Sequence, residues 1–483
     1  MAAPQHVLTP APAALWSLSA ADLARAYAAR ELSPPEVLDA VLDRCDAVNP
    51  KINAIVTLDR EGAREAARAS ERRWRAGTAR GPLDGVPLTV KDNIPVRGLP
   101  TTWGSRVLAD YVPTEDELPV ARLRAQGVII LGKTNVPEFT LQGYTNNPLF
   151  GVTRNPWDLR LTPGGSSGGA VAAVAAGLGP LAIGTDGGGS IRRPAGHAGL
   201  VGLKPSTGRV ARTRGLPAIL HDFEVIGPIA RTTADAAILF AAIAGPDPHD
   251  RASLAFSGEP RAGGAAPEEL RVLYIPAFGG SPVDPEIAVH VAEAARRLEA
   301  LGHRIVEGEA PFEIAALDRI WAVIGPAGLA WFLRGKPGWR DVVQPAFRAL
   351  ADQGRALTAA DYVAALDETT RLRAQLADVF TCCDVILTPS FAALPWPADE
   401  THPAEIDGKA VGPRGHAVFT AFANAGGVPA ISLPCWPSRT GLPIGIQLVG
   451  AYGADELLLR LAAQFEAAHP WADRWPPLEA SSR

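Results

Sequence analysis

Short apolar runs, each closed by Gly, Pro or Asp, recur along this chain at 86–90, 128–131, 180–184, 270–275, 384–387, 430–433 and 444–449. Runs of that length are too short for helices and suit buried strands. Between several of them lie longer stretches with helical spacing of apolar residues, at 116–126, 168–176, 285–301 and 456–468. Strands alternating with helices predict an α/β fold with a large sheet, mixed or mostly parallel, covered on both faces. The first 75 residues read differently, as helices. Ser19 with Asp22, and Ser33 with Pro34 and Glu36, are helix-start signals of cap and acid three positions on. No internal repeat is visible, and the linker-like stretch SGEPRAGGAAP at 257–267 reads as a surface loop rather than a domain boundary.

Composition removes several functions. With 47% hydrophobic and 20% charged residues the chain builds a sizeable core. A net charge of −5 without any Lys/Arg-rich run offers no footprint for nucleic acid. Residues 1–27 lack the basic and apolar segments of a secretory leader, and no run of about 18 uninterrupted apolar residues is present, so a cytoplasmic protein without a membrane partner is expected. Cys45, Cys382, Cys383 and Cys435 form no C-x-x-C pair, which suggests neither a disulfide framework nor a metal site. The positive charge is nearly all arginine: only Lys51, Lys91, Lys133, Lys204, Lys336 and Lys409 stand among 46 basic residues. Arginine stays protonated, so a neutral amine base must be one of these six lysines.

Three glycine-rich motifs compete for attention. GVIILGKT at 127–134 fits the phosphate-loop pattern, but its centre is what a buried strand is made of, and nucleotide binding is rejected. GGSSG at 164–168 fits the nucleophile elbow of serine esterases. An elbow follows a strand, however, and Ser166 follows the loop residues RLTPGG. A Ser-His-Asp esterase using Ser166 also needs a histidine, and His290, His303, His402, His416 and His469 sit in no distinguishing motif. Taken alone, the stretch reads equally well as a turn and a helix cap. In the third motif a strand at 181–183 leads through GTD into Gly187, Gly188, Gly189 and Ser190. Successive glycines let backbone N–H groups converge as an oxyanion hole requires, and a serine directly after them is placed to attack the held carbonyl. Lys91, at the end of the apolar run 86–90, is either a snorkelling surface lysine or a desolvated neutral base.

Together, TVKDN around Lys91, the 164–169 loop, GTDGGGSIRRP at 184–194 and GLVGLKP at 199–205 resemble the amidase signature family. Ser190 follows Ser166 by 24 residues, as in that family, and LGKTNVPEF, NAGGVPAISLP and PIGIQLVG extend the similarity over nearly the whole chain. The resemblance implies one domain over 1–483, an α/β/α sandwich around a large mixed sheet, with a helical part at 1–75, an α/β core at 76–483 and a variable pocket segment near 311–345. It implies Ser190 as nucleophile, Ser166 after a cis peptide bond as relay, and Lys91 as base. Gly187, Gly188, Gly189 and Ser190 would form the oxyanion hole, Ser167, Thr185, Asp186 and Arg192 would brace the loops, and no metal or cofactor is required.

The substrate is less constrained. The resemblance covers stand-alone amidases and the glutaminase subunit of tRNA-dependent amidotransferases. Where that glutaminase has an acid reading the glutamine amine, this chain aligns Ala417, which argues against glutamine. Trp321, Trp331 and Trp339 crowd the stretch least like the family. Tryptophans mostly pack in cores, but at a pocket mouth these would favour an aryl or bulky apolar group. Aryl amides and aryl carbamates are both candidates, and the chain is similar overall to family members from environmental DNA that act as urethanases.

Overall fold

A computed structural model describes residues 14–258 and 263–478. The leader reading falls partly on residues outside these, and so does 259–262 of the linker-like stretch. Eleven strands join one sheet: β1 (Ile55–Leu58), β2 (Pro87–Lys91), β3 (Ile129–Thr134), β4 (Leu181–Asp186), β5 (Val201–Lys204), β6 (Val225–Ala230), β7 (Arg271–Tyr274), β8 (Arg304–Glu307), β9 (Val385–Pro389), β10 (Ala430–Pro434) and β11 (Gly445–Gly450). Their spatial order is β1-β3-β2-β4-β6-β5-β10-β11-β9-β7-β8. Pairing is parallel within β3-β2-β4 and β9-β7-β8. It is antiparallel for every pair from β4 across to β9, and for β1 with β3. The sheet is therefore mixed rather than mostly parallel. Strands from both sides of 257–267 share it.

All seven apolar runs are strands. Four further strands escaped the pattern for physical reasons. β8 is an edge strand with three of its four residues exposed or nearly so, and β1 is short and half-buried, so neither shows an apolar run. β6 is fully buried but carries Gly227 and Pro228, which read as a loop because proline cannot donate to a ladder. β5, inside GLVGLKP, is interrupted by Gly202 and ends on Lys204.

Successive strand residues point to opposite faces, and here they enter different core clusters. Leu181, Ile183, Leu387 and Leu448 pack with the helices Leu118–Ala125, Thr233–Ile243, Pro285–Ala300 and Asp455–Ala468. Their neighbours Ala182, Ile386 and Val449 join clusters containing the helices Gly168–Ala175, Ile314–Leu333 and Ala359–Cys382. Helices thus cover both faces in an α/β/α sandwich. The N-terminal helices start as their caps predict: Ser19 accepts from the Asp22 N–H, and Ser33 forms a capping box with Glu36. The helix Ile314–Leu333 is long and apolar enough to cross a membrane, but half of it is buried in this fold and it carries Asp318 and Arg319. The discarded phosphate-loop pattern is the buried strand β3, with Lys133 Nζ 3.3 Å from Asp92.

Because β2 and β4 are adjacent and parallel, their C-terminal ends open on the same sheet edge. Lys91 ends β2 and Asp186 ends β4, so the topology alone brings the lysine motif beside the second glycine loop.

Candidate active site

Lys91 is fully buried. Its Nζ lies 2.8 Å from Ser166 Oγ, 2.8 Å from Thr185 Oγ1 and 3.0 Å from the Thr185 carbonyl oxygen. No carboxylate of the described residues is in contact with it. Burial pushes the amine down to about 7, while the charges of Glu224 and Asp186 pull the other way and Arg212 adds a smaller lowering. A neutral amine has two N–H donors and one lone pair. The carbonyl of Thr185 can only accept, so the lone pair is left for a hydroxyl proton, and Ser166 is one of the two hydroxyls that can supply it.

Ser166 follows a cis peptide bond from Gly165. A Cβ on Gly165 would come within 2.2 Å of the Tyr144 carbonyl oxygen, so this approach admits only glycine. Ser167 is the N-cap residue of the helix Gly168–Ala175, yet its hydroxyl makes no cap bond. It donates instead to the Thr185 carbonyl at 3.2 Å, and its N–H donates to the Ser190 carbonyl at 3.1 Å. The two Gly/Ser loops are thereby tied backbone to backbone.

The second loop is built around Asp186. Its carboxylate accepts from the Gly189 N–H at 2.6 Å and the Ile191 N–H at 3.0 Å. Arg192 adds a forked pair, Nε to Oδ2 at 3.0 Å and Nη2 to Oδ1 at 2.9 Å. Burial alone would raise this carboxyl, but Arg192, with Asn424 and Lys204 assisting, outweighs it and holds the group well below the usual carboxylate range. Arg192 is fastened in turn by Gln447 Oε1 and Asn424 Oδ1, each at 2.6 Å, and by the Thr420 carbonyl at 3.0 Å.

This network corrects one expected role. The Gly189 N–H is committed to Asp186 and cannot serve an oxyanion; Gly189 instead takes φ +113°, with Thr420 Oγ1 where a Cβ would sit. The N–H groups of Gly187, Gly188 and Ser190 have no acceptor among the described residues. Ser190 is 7% exposed, and it opens on a cavity whose wall includes Gly187, Gly188, Leu220, Trp321 and Pro326.

The three tryptophans separate. Trp321 lines this cavity and stacks on Phe223 at 5.1 Å between centroids. Trp331 lies away from it with 53% of its surface exposed, and Trp339 is packed in the core with Phe332 and Phe347. None of the described histidines hydrogen-bonds Ser166: His303 meets Gln464, His402 meets Thr401, His469 meets Arg297, and His416 stands against Trp396.

Sequence reasoning missed Thr420, Asn424 and Gln447. Gln447 left a signal, a lone amide within an apolar strand, because buried polar side chains need partners. Asn93 and Glu224 were missed as well. Asn93 Nδ2 donates to Thr185 Oγ1 at 3.0 Å and lies 3.4 Å from Glu224 Oε2, which Arg212 holds through Oε1 at 2.9 Å. Asn93, Arg212 and Glu224 line a second cavity of about 270 Å³.

Known proteins share this arrangement of chain. The Amidase family model matches residues 36–459. An acylamidase of Rhodococcus erythropolis is 38% identical over 95% of this chain and 97% of its own length. A glutamyl-tRNA(Gln) amidotransferase component from Moorella thermoacetica is 37% identical over 96% of this chain and 99% of its own length. Among solved structures, a bacterial aryl acylamidase of the amidase signature family superposes with a TM-score of 0.88 at 30% identity, covering 94% of this chain and 97% of that one. With the family matched over most of the sequence and the fold over nearly all of it, the chain belongs to the amidase signature family of hydrolases acting on amides.

Proposed function

We propose that the chain is a stand-alone hydrolase of aryl amides and N-aryl carbamates that works through an acyl-enzyme on Ser190. The observation that carries this reading is a buried lysine without a carboxylate partner among the described residues, 2.8 Å from Ser166 Oγ and beside the loop that bears Ser190. Neutral Lys91 accepts the Ser166 proton as Ser166 takes the proton of Ser190. Ser190 Oγ bonds to the carbonyl carbon, and the carbonyl oxygen becomes negative against the N–H groups of Gly187, Gly188 and Ser190. On collapse the C–N bond breaks, and the proton held by Lys91 returns through Ser166 to the leaving nitrogen. Water then attacks the acyl carbon, giving its proton to the same relay. Ser190 recovers its hydroxyl as the carboxylic acid departs or, from a carbamate, the carbonic acid half-ester.

The cavity wall favours this substrate class over glutamine. Trp321, Leu220, Leu141 and Pro326 present apolar surface, Ala417 stands where an ammonium reader would be needed, and no Asp or Glu is among the described residues of the wall. A glutamine ammonium would meet no carboxylate there, and it would face Arg193 and Arg414. Rates on a matched set, an anilide, an N-aryl carbamate, a small aliphatic amide and glutamine, test the reading. The two aryl substrates are expected to lead, and glutamine as best substrate overturns it. Ser190→Ala is expected to abolish turnover with the fold intact.

A further inference from the structure

We infer that the Ser190 cavity carries a carboxylate-binding pole, formed by Arg193 and Arg414, for an anionic substituent on the amide substrate. This rests on the amidase reading above and narrows its substrate class. Arg193 is 6% exposed and lines the same cavity wall as Ser190, and Arg414 stands on that wall nearer to solvent. Neither forms an ion pair with a carboxylate among the described residues. Asp186, whose charge reaches Arg193, is engaged by Arg192 through both oxygens. Asp318 acts on Arg414 through its charge without ion-pair contact.

Arg193 is only partly satisfied. Its Nη1 donates to the Gly188 carbonyl at 3.1 Å and lies 3.4 Å from Thr420 Oγ1, but its Nε is buried with no acceptor. Nη2 makes no hydrogen bond among the described residues. Burial and, to a lesser extent, repulsion from Arg414 lower this guanidinium to about 9, against the pull of Asp186. Arg414 faces the Trp321 ring at 5.9 Å. His416, the third basic group on the wall, is neutral: burial and then the charge of Arg193 hold it well below the usual imidazole range.

A buried guanidinium without a counter-ion is destabilising by itself, and a second cation converging on it adds to that. One carboxylate relieves both, and an arginine fork matches its geometry. The same pole repels an ammonium. A zwitterionic amino acid thus finds one favourable and one unfavourable contact, whereas a simple carboxylate finds only the favourable one. Trp321, beside Arg414, gives the pole an aromatic border on the same wall.

The carboxylate can sit on the acyl or on the amine side, and the test separates the two. N-phenylsuccinamate and its methyl ester form one pair, 4-acetamidobenzoate and its methyl ester the other. The expected result is a kcat/KM about tenfold or more higher for the acid than for its ester in one pair, mainly through KM. That ratio should collapse in Arg414→Gln and in Arg193→Gln. Binding of each acid and ester to Ser190→Ala, by calorimetry, reads the pole without turnover. Esters equal to or better than acids in both pairs, or ratios unchanged in both variants, overturn the inference. Absence of turnover on all four compounds, with the acid still bound more tightly, would overturn the amidase reading and leave the pole standing.

Discussion

The cavity has two walls of opposite construction. On the sheet side the wall is the loop of Gly187, Gly188 and Ser190, and behind it Lys91, Ser166, Asp186 and Arg192 are fixed by short hydrogen bonds to one another and to backbone, with almost no exposure. On the helical side, Ile314–Leu333 and the 411–417 turn meet the cavity through Trp321, Pro326, Arg414 and Ala417, held mainly by packing. The difference separates chemistry from recognition. A wall whose bonds are directional keeps reacting atoms in register, and a wall made of contacts decides what fits.

Substitutions should fall unequally on the two walls. Lys91→Met keeps the buried volume and removes the base, so the rate is expected to fall on the order of 10³-fold or more, measured as kcat on an anilide. Adding Ser190→Ala should cost little beyond either single change, because relay members act as a unit. Asp186→Asn leaves Arg192 buried without its counter-charge. A stability loss of roughly 3–5 kcal/mol is expected from denaturant midpoints, and a midpoint unchanged from wild type would contradict the loop architecture described above. Glu224→Gln is subtler. Lys91 must be neutral to act, so kcat/KM should fall as pH drops through about 7. Glu224 raises the Lys91 value, and removing its charge should move this acid limb to lower pH, by about half a unit or more. An upward shift would contradict the assignment of Lys91 as base. On the helical wall, Trp321→Ala should raise KM about five- to tenfold for aryl substrates with little change in kcat, the size of a lost aromatic contact. Trp331→Ala, on the exposed surface, should change stability by less than about 0.5 kcal/mol and leave kinetics unchanged.

The same division explains what the sequence made legible. Chemistry that needs a glycine, a serine and a lysine at fixed positions leaves short motifs, so Lys91, Ser166, Thr185, Asp186, Ser190 and Arg192 were readable together. The role of Gly189 was not. Whether its N–H faces a substrate or Asp186 depends on a φ of +113°, which no run of three glycines reveals. Thr420, Asn424 and Gln447 come from about 230–260 residues further on, joined to Asp186 and Arg192 only by the fold. The tryptophans show the limit most directly. Trp321, Trp331 and Trp339 are close in sequence, yet one helix and one turn send them to the cavity, the surface and the core. Of the strands, apolar runs revealed seven, while Pro228 and the exposed edge of β8 hid others that equally belong to the sheet.

The separation of the walls has a practical consequence for anyone wishing to change what the enzyme accepts. No side chain at 141–143, 321–326 or 411–417 contributes a hydrogen bond to Lys91, Asp186 or Arg192. Combinatorial libraries confined to those three segments would therefore vary shape and charge around the substrate while leaving the proton relay and its scaffold untouched. Screening effort would then go into new specificities instead of into recovering lost folds.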